Sequence, residues 1–271
     1  MACWIDGRPD ESLPPTDRGL AYGDGLFETI AVRRGQPLLL ERHLARLAEG
    51  CARLALPGDP ASIRAELLAF SAALGEGVAK LLLTRGDGLR GYAAPQPPQS
   101  RRILLGSPPP RYPPGNAVQG VRLYPCRTRL AEQPLLAGLK HLNRLEQVLA
   151  RAEWRDAEHA EGLMRDLSGR VIEGVFSNLF LVRDGVLLTA DLCRCGVAGV
   201  MRAEIFEHAE RAGIAVQVRD IDFAELLAAD EVFLCNSLYG IWPVRRFEEH
   251  DWPVGTLTRK LQGSIRKLLD S

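Results

Sequence analysis

Apolar and polar residues follow two distinct rhythms along this chain. Residues 26–38, LFETIAVRRGQPL, alternate with the two-residue period of a half-buried strand and then reach a glycine turn. Residues 38–56, LLLERHLARLAEGCARLAL, change to helical spacing and place Leu40, Leu44, Leu47, Cys51 and Leu54 on one face. The same reading gives a helix over about 60–74 and strands near 78–85 and 101–106. The stretch PPPRYPPGNAV, residues 108–118, favours extended backbone and removes amide donors, which marks a boundary. The expected division is therefore a smaller domain over 1–107, a Pro-rich linker over 108–117 and a larger domain over 118–271. Beyond it the pattern predicts strands near 118–124, 161–165, 170–182, 186–189, 214–218 and 231–236. Helices are expected after residue 140, over 200–211 and over 256–269. Strands and helices mix without regular alternation, so the expected class is α+β.

Composition narrows the function. A chain of 271 residues, 46% hydrophobic, is long enough for one large core or two smaller ones. Basic and acidic residues number 34 each, which leaves no cationic excess for a nucleic-acid partner. No basic leader precedes an apolar stretch, and no apolar run approaches the roughly 20 residues of a membrane span, so a cytoplasmic protein without a membrane partner is expected. The six cysteines are scattered, as in a reduced compartment. Cys193 and Cys195 form one close pair without a second pair or a histidine at zinc spacing, so no metal is expected. GDGLRG, residues 86–91, has dinucleotide-loop spacing, but the YAAPQPPQ that follows cannot open the helix such a loop needs.

Lysine is scarce: Lys80, Lys140, Lys260 and Lys267 are the four in the chain, and every other basic residue is arginine. Lys260 and Lys267 suit a solvated helix face, and Lys80 opens a strand. Lys140 lies between Gly138-Leu139 and His141-Leu142, ahead of a helical pattern in which Leu142, Leu145, Val148 or Leu149 and Ala152 are expected to point inward. Lys140, Arg144, Gln147 and Arg151 also share the spacing of one wet stripe. A primary amine, unlike a guanidinium, can lose its proton near neutral pH and attack a carbonyl.

Five segments in order, YGDGLFETI (22–30), TRGDGLRGY (84–92), GLKHLNRLEQVLAR (138–151), VIEGVFSNLFLV (171–182) and GVAGVMR (196–202), resemble the fold-type IV pyridoxal-phosphate enzymes. That family holds branched-chain aminotransferases, D-amino-acid aminotransferases and aminodeoxychorismate lyases. The resemblance implies two domains with the cofactor, pyridoxal 5'-phosphate, between them, and a homodimer. It implies that Lys140 links covalently to the cofactor and that Glu173 faces the pyridine nitrogen, keeping it protonated. It places Arg46, Gly199, Val200, Met201, Asn236 and Ser237 at the phosphate, and Ser177 and Asn178, close to Glu173, among the residues that bind the cofactor. Backbone amides at a helix start suit such a dianion.

KHLNRLEQV and the RGDGLRGY stretch are most similar to the lyase branch. This implies conversion of aminodeoxychorismate to 4-aminobenzoate and pyruvate, with Lys140 as the base. Thr29 falls where a hydroxyl could protonate the departing enolpyruvyl group, although a β-branched residue also simply suits a strand. Arg85, Arg90 and Tyr92 are the candidates for gripping substrate carboxylates. A D-amino-acid or branched-chain aminotransferase is the alternative.

Overall fold

A computed structural model of the chain describes residues 2–9, 12–88 and 90–270, so Leu89 of the GDGLRG stretch lies outside it. The chain divides into two compact units: Met1–Arg111 with Leu139–Asn143, and Tyr112–Gly138 with Arg144–Ser271. The division falls inside the Pro-rich stretch. Assignment of Leu139–Asn143 to the first unit is not legible from a linear boundary.

The first unit runs β1 (Cys3–Ile5), β2 (Arg8–Pro9), α1 (Arg18–Tyr22), β3 (Gly25–Arg33), β4 (Gln36–Pro37), α2 (Leu40–Arg53), α3 (Pro60–Leu74), β5 (Gly77–Thr84) and β6 (Arg101–Ser107). Its six strands form an antiparallel sheet in the order β2-β1-β6-β5-β3-β4. Alternation along β3 sends Leu26, Glu28, Ile30 and Val32 inward and leaves Phe27, Thr29 and Ala31 half-buried on the other face. Leu47 of α2 packs with Ile63, Leu67 and Phe70 of α3 against the inward face, and Leu40, Leu44, Cys51 and Leu54 border that core as their spacing predicts. Asp59 caps α3 through the amides of Ala61 and Ser62, with Pro60 at the first helical position. Residues 90–100 form bends rather than a helix.

The second unit runs α4 (Gly115–Val118), β7 (Val121–Leu130), α5 (Leu145–Arg151), β8 (His159–Asp166), β9 (Val171–Gly174), β10 (Asn178–Arg183), β11 (Val186–Ala190), α6 (Val200–Arg211), β12 (Val216–Arg219), α7 (Phe223–Leu227), β13 (Glu231–Asn236), β14 (Gly240–Phe247), β15 (His250–Asp251) and α8 (Thr256–Asp270). Strand order is β12-β11-β10-β13-β14-β7-β8-β9, and β9 pairs back onto β10, so the sheet closes on itself. The closing pair is Asn178 opposite Glu173. Leu179 and Leu181 of β10 point into one core with Leu163, Val232, Leu234 and Trp242. Phe180, on the opposite side of β10, stacks on Phe233 at 5.1 Å and meets Phe206 of α6 edge-on. Burial on both faces explains the unbroken apolar run of this strand.

One expected helix is shorter than its pattern. Residues 139–144 are not helical: Leu26 bridges His141, the Phe27 amide donates to the Lys140 carbonyl at 2.9 Å, and the Leu142 amide donates to Gly25 at 3.0 Å. Helix α5 starts only at Leu145, where Leu145, Val148 and Leu149 face outward, Leu145 being 76% exposed, while Ala150 is buried. The apolar spacing is real, but those positions form an uncovered face rather than a core. The expected strand over 170–182 is likewise interrupted at Val175–Ser177, which separates β9 from β10.

Replacing Phe233 by Ala removes a fully buried ring from the Phe180 stack and is expected to cost about 3–5 kcal/mol of stability in urea unfolding. Val218→Ala on half-exposed β12 should stay within about 1 kcal/mol.

Candidate active site

Lys140 extends from a non-helical segment bound to the edge of β3, and its Nζ sits 4.2 Å from the centre of the Phe27 ring. Thr29 is two residues along the same face of β3, opposite Lys80 of β5. The Nζ of Lys80 lies 5.3 Å from the same ring. The structure therefore puts a second amine beside the Phe27–Thr29 face, although the sequence gives Lys80 only a strand-start role. An ammonium over an aromatic face is attracted to its π cloud.

On the opposite side of β3, Glu28 is buried. Its carboxylate accepts Arg46 Nε at 2.8 Å and a second, close bond from Arg46 Nη2, and meets His43 Nδ1 at 2.6 Å. Burial alone would raise the pKa of Glu28, but the charge of Arg46 and the bond to His43 outweigh it and hold the pKa at about 2. His43 is lowered chiefly by burial, against the pull of Glu28, with the charges of Arg46 and Lys140 adding to the lowering. Its Nε2 has no hydrogen-bond partner. Arg46 thus spends one edge of its guanidinium on Glu28. Neither Glu28 nor His43 was picked out by sequence, though Glu28 shares the inward parity of Leu26, Ile30 and Val32.

Arg85 is placed where it cannot serve as a free carboxylate grip. Its Nε bonds Asp24 at 2.8 Å, and its two terminal nitrogens bond the carbonyls of Ala55 and Leu54 at 2.8 and 2.9 Å, with the residue buried. The guanidinium joins β5 to the end of α2. Arg90 is exposed, and Tyr92 is 87% exposed with its ring tilted against Tyr22 at 5.5 Å. Arg18, which the sequence did not single out, bonds Asp24 and the carbonyls of Gly91, Tyr92 and Ala93, and so orders the backbone beside Arg90.

In the second unit, Glu173 is 4% exposed. Its Oε2 accepts the Val197 amide at 2.9 Å and lies 3.5 Å from Asn178 Nδ2. Asn178 Nδ2 also donates to the Val197 carbonyl at 2.8 Å, and its Oδ1 accepts the Gly199 amide at 3.0 Å. Gly199 is the cap residue of α6 and offers no side chain to the first-turn amides. An added Cβ there would collide with Asn178 Oδ1. The backbone at Gly199–Val200–Met201 is thus held open at a helix start by a side chain from β10. The half-buried Arg144 guanidinium lies in the field of Glu173. Ser177 is committed to Glu161 at 2.7 Å. Asn236 Oδ1 accepts the amides of Leu238 and Tyr239, and its Nδ2 lies 3.4 Å from the Phe176 carbonyl, so this side chain mainly shapes its own turn. Ser237 follows in that turn, half-buried.

Residues 25–247 match the amino-transferase class IV family. The chain belongs to that family. Its members depend on pyridoxal phosphate, and the fold is the two-domain, fold-type IV arrangement. Along 97% of its length this class IV chain is 40% identical to the aminodeoxychorismate lyase of Vibrio harveyi, covering 98% of that protein. The crystal structure of 4-amino-4-deoxychorismate lyase from Pseudomonas aeruginosa superposes with a TM-score of 0.98 at 69% identity, covering 99% of this chain and 100% of that one. The D-alanine aminotransferase of Listeria monocytogenes is 28% identical, over 94% of this chain and 90% of that protein.

Each unit carries groups of the kind the class IV cofactor uses: the first an amine at Lys140, the second a buried acid at Glu173 and a helix start whose cap residue brings no side chain to the first-turn amides. Among the described residues no cluster of acidic, histidine or cysteine side chains fits a metal ion. No described helix is long and apolar enough to cross a membrane.

Because the Glu28 pKa is depressed, its contribution to stability is present above pH 4.5 and is lost as pH falls toward 2. Denaturant unfolding at pH 5 and pH 3 should show a larger acid loss for wild type than for Glu28→Gln. Glu28→Ala, which strands Arg46 and His43, should cost about 3–5 kcal/mol at pH 7.

Proposed function

We propose that this class IV protein is an aminodeoxychorismate lyase, releasing 4-aminobenzoate and pyruvate from 4-amino-4-deoxychorismate. The observation that carries this reading is identity over the full length: 69% and 40% with two lyases, against 28% with a D-alanine aminotransferase. Pyridoxal phosphate, when bound, supplies a carbonyl for the substrate amine and a ring that accepts the electron pair left when a bond to the amine-bearing carbon breaks.

The chain's own residues divide the remaining work. Lys140 would hold the cofactor through its amine and, as a free amine, would remove the proton from the amine-bearing ring carbon. Glu173, anchored by the Val197 amide, keeps a negative charge opposite the cofactor's ring nitrogen. Asn178 keeps Gly199 and the start of α6 in place for the phosphate, with Val200, Met201 and Ser237 as further donors and Asn236 shaping the turn that carries Ser237. Arg46, braced by Glu28, contributes its positive charge toward the same dianion. Thr29 delivers a proton to the methylene carbon of the leaving enolpyruvyl group, and loss of that group completes an aromatic ring. Lys80 and Arg90 bind substrate carboxylates, a role that Arg85 cannot share.

A second copy of the chain covers the outward Leu145, Val148 and Leu149 of α5, giving a homodimer. With basic and acidic residues balanced, no nucleic-acid partner is called for, and the site of action is the cytoplasm.

The protein incubated with aminodeoxychorismate should yield 4-aminobenzoate, and Lys140→Ala should lose its visible cofactor band and at least about 1,000-fold in kcat/KM. Keto acid from D-alanine or leucine without 4-aminobenzoate would overturn the reading in favour of an aminotransferase. Lys80→Ala should raise KM about tenfold with kcat nearly unchanged, as expected when a carboxylate contact is lost from ground and transition states alike.

A further inference from the structure

Glu161, the third residue of β8, is completely buried and has no part in the chemistry described above. Its carboxylate is surrounded by donors. Oε1 accepts the amides of Gly162 at 2.9 Å and Val175 at 3.0 Å, while Oε2 accepts Ser177 Oγ at 2.7 Å and the Phe176 amide at 3.3 Å. Three of these four donors come from Val175–Ser177, the short link between β9 and β10. That link is flanked by Glu173 and Asn178, the residues whose pairing closes the sheet. A Cβ added at Gly174 would meet Ser177 Oγ and lie 3.0 Å from the Glu161 carboxyl carbon, so only glycine lets the link pack this closely on Glu161. The Tyr239 hydroxyl is buried against Ser177 and Glu161.

We propose that Glu161 is a positioning residue for the Glu173–Asn178 closure: as an anion it clamps Val175–Ser177, and as an acid it loosens that clamp by donating its proton to Ser177, whose hydroxyl then turns to Tyr239. The inference rests on reading Glu173 and Asn178 as cofactor ligands. Hydrogen bonds to an ionised carboxylate are stronger than those to a neutral acid, so the two forms hold the link unequally. Burial pushes Glu161 up to about 7 despite the opposing pull of Ser177 and the three amides, so both forms are populated near neutrality. The ionisable groups facing it are Cys126 on β7, Tyr112, and Tyr239 in the turn after β13. All three are raised chiefly by burial and further by the charge of Glu161, which leaves them neutral at pH 7.

Two opposite pH trends follow. A raised carboxyl adds global stability that is complete below 4.5 and is lost as pH climbs through 7. The local clamp strengthens over the same rise. Glu161→Gln keeps the shape and removes the proton exchange.

The test uses the full chain, without cofactor and with pyridoxal phosphate, comparing wild type with Glu161→Gln. The infrared spectrum of cofactor-free wild type should contain a buried carboxylic-acid band that titrates near pH 7 and is missing from the variant. Amide exchange at Val175 and Phe176, corrected for its intrinsic pH dependence, should slow about fivefold from pH 6 to 8 relative to the variant, and the ratio of apparent cofactor affinities should rise by a similar factor. Identical pH profiles in the two proteins, or no titrating band, overturn the proposal. Failure of wild type to bind pyridoxal phosphate at any pH would instead overturn the cofactor reading, while the infrared and exchange measurements still decide whether the clamp exists. Should Glu161→Gln not fold, Glu161→Asp keeps an ionisable group, and a titrating acid band shifted in that variant supports the assignment, whereas an unchanged band overturns it.

Discussion

A sheet that closes on itself must have a last pair, and in the second unit that pair is Asn178 opposite Glu173. The constraint is geometric before it is chemical. Neither strand can slip by one residue without turning both polar side chains to the wrong face. At this closure the two side chains lie within reach of residues 197–199, and their hydrogen bonds fix Val197 and Gly199 just ahead of α6, whose first-turn amides have no side-chain cap. Acid, amide and helix start are consequently set by one closure, and buried groups that are fully bonded in this way resist rearrangement.

The first unit solves a different problem with one strand. Alternation along β3 divides it into an inward face, where Glu28 anchors His43 and Arg46, and an outer face with Phe27 and Thr29 near two amines. A single strand thereby keeps a buried anion network apart from a cationic, aromatic surface, although the residues concerned are neighbours in sequence. The burial of Glu28 is sustained by partners rather than by water, which makes the network rigid and costly to dismantle.

Much of this was legible in the sequence because strong periodicity survives folding. Helix α6 begins and ends where its pattern says, and α2 buries the expected edge. Lys140 stood out because lysine is rare in this chain, and motifs in register carried Glu173 and Asn178. What escaped notice has a common cause. Periodicity reports that a face is apolar but not what covers it, so Leu145, Val148 and Leu149 read as core although they point outward. Strand β14 was missed, where Pro243 and the charges at Arg245 and Arg246 blur the alternation. Buried carboxylates were also missed, since Glu28 and Glu161 look like any other glutamate until one notices that each has the parity of apolar neighbours, Ile30 in one strand and Leu163 in the other. Arg85 suits a carboxylate because its guanidinium matches one bidentately, whereas the partners it has in the fold, Asp24 and two carbonyls, are remote in sequence.

The short segment Leu139–Asn143 is counted with the first unit, yet it is encoded after nearly thirty residues of the second. Its backbone fills positions along the edge of β3, and Asn143 reaches the Gly23 carbonyl. During synthesis, then, the amino-terminal sheet must wait with one flank unfinished until the ribosome has passed Asn143. The two units are therefore not separable gene cassettes: a cut at the proline-rich stretch would strand the amine on the wrong fragment.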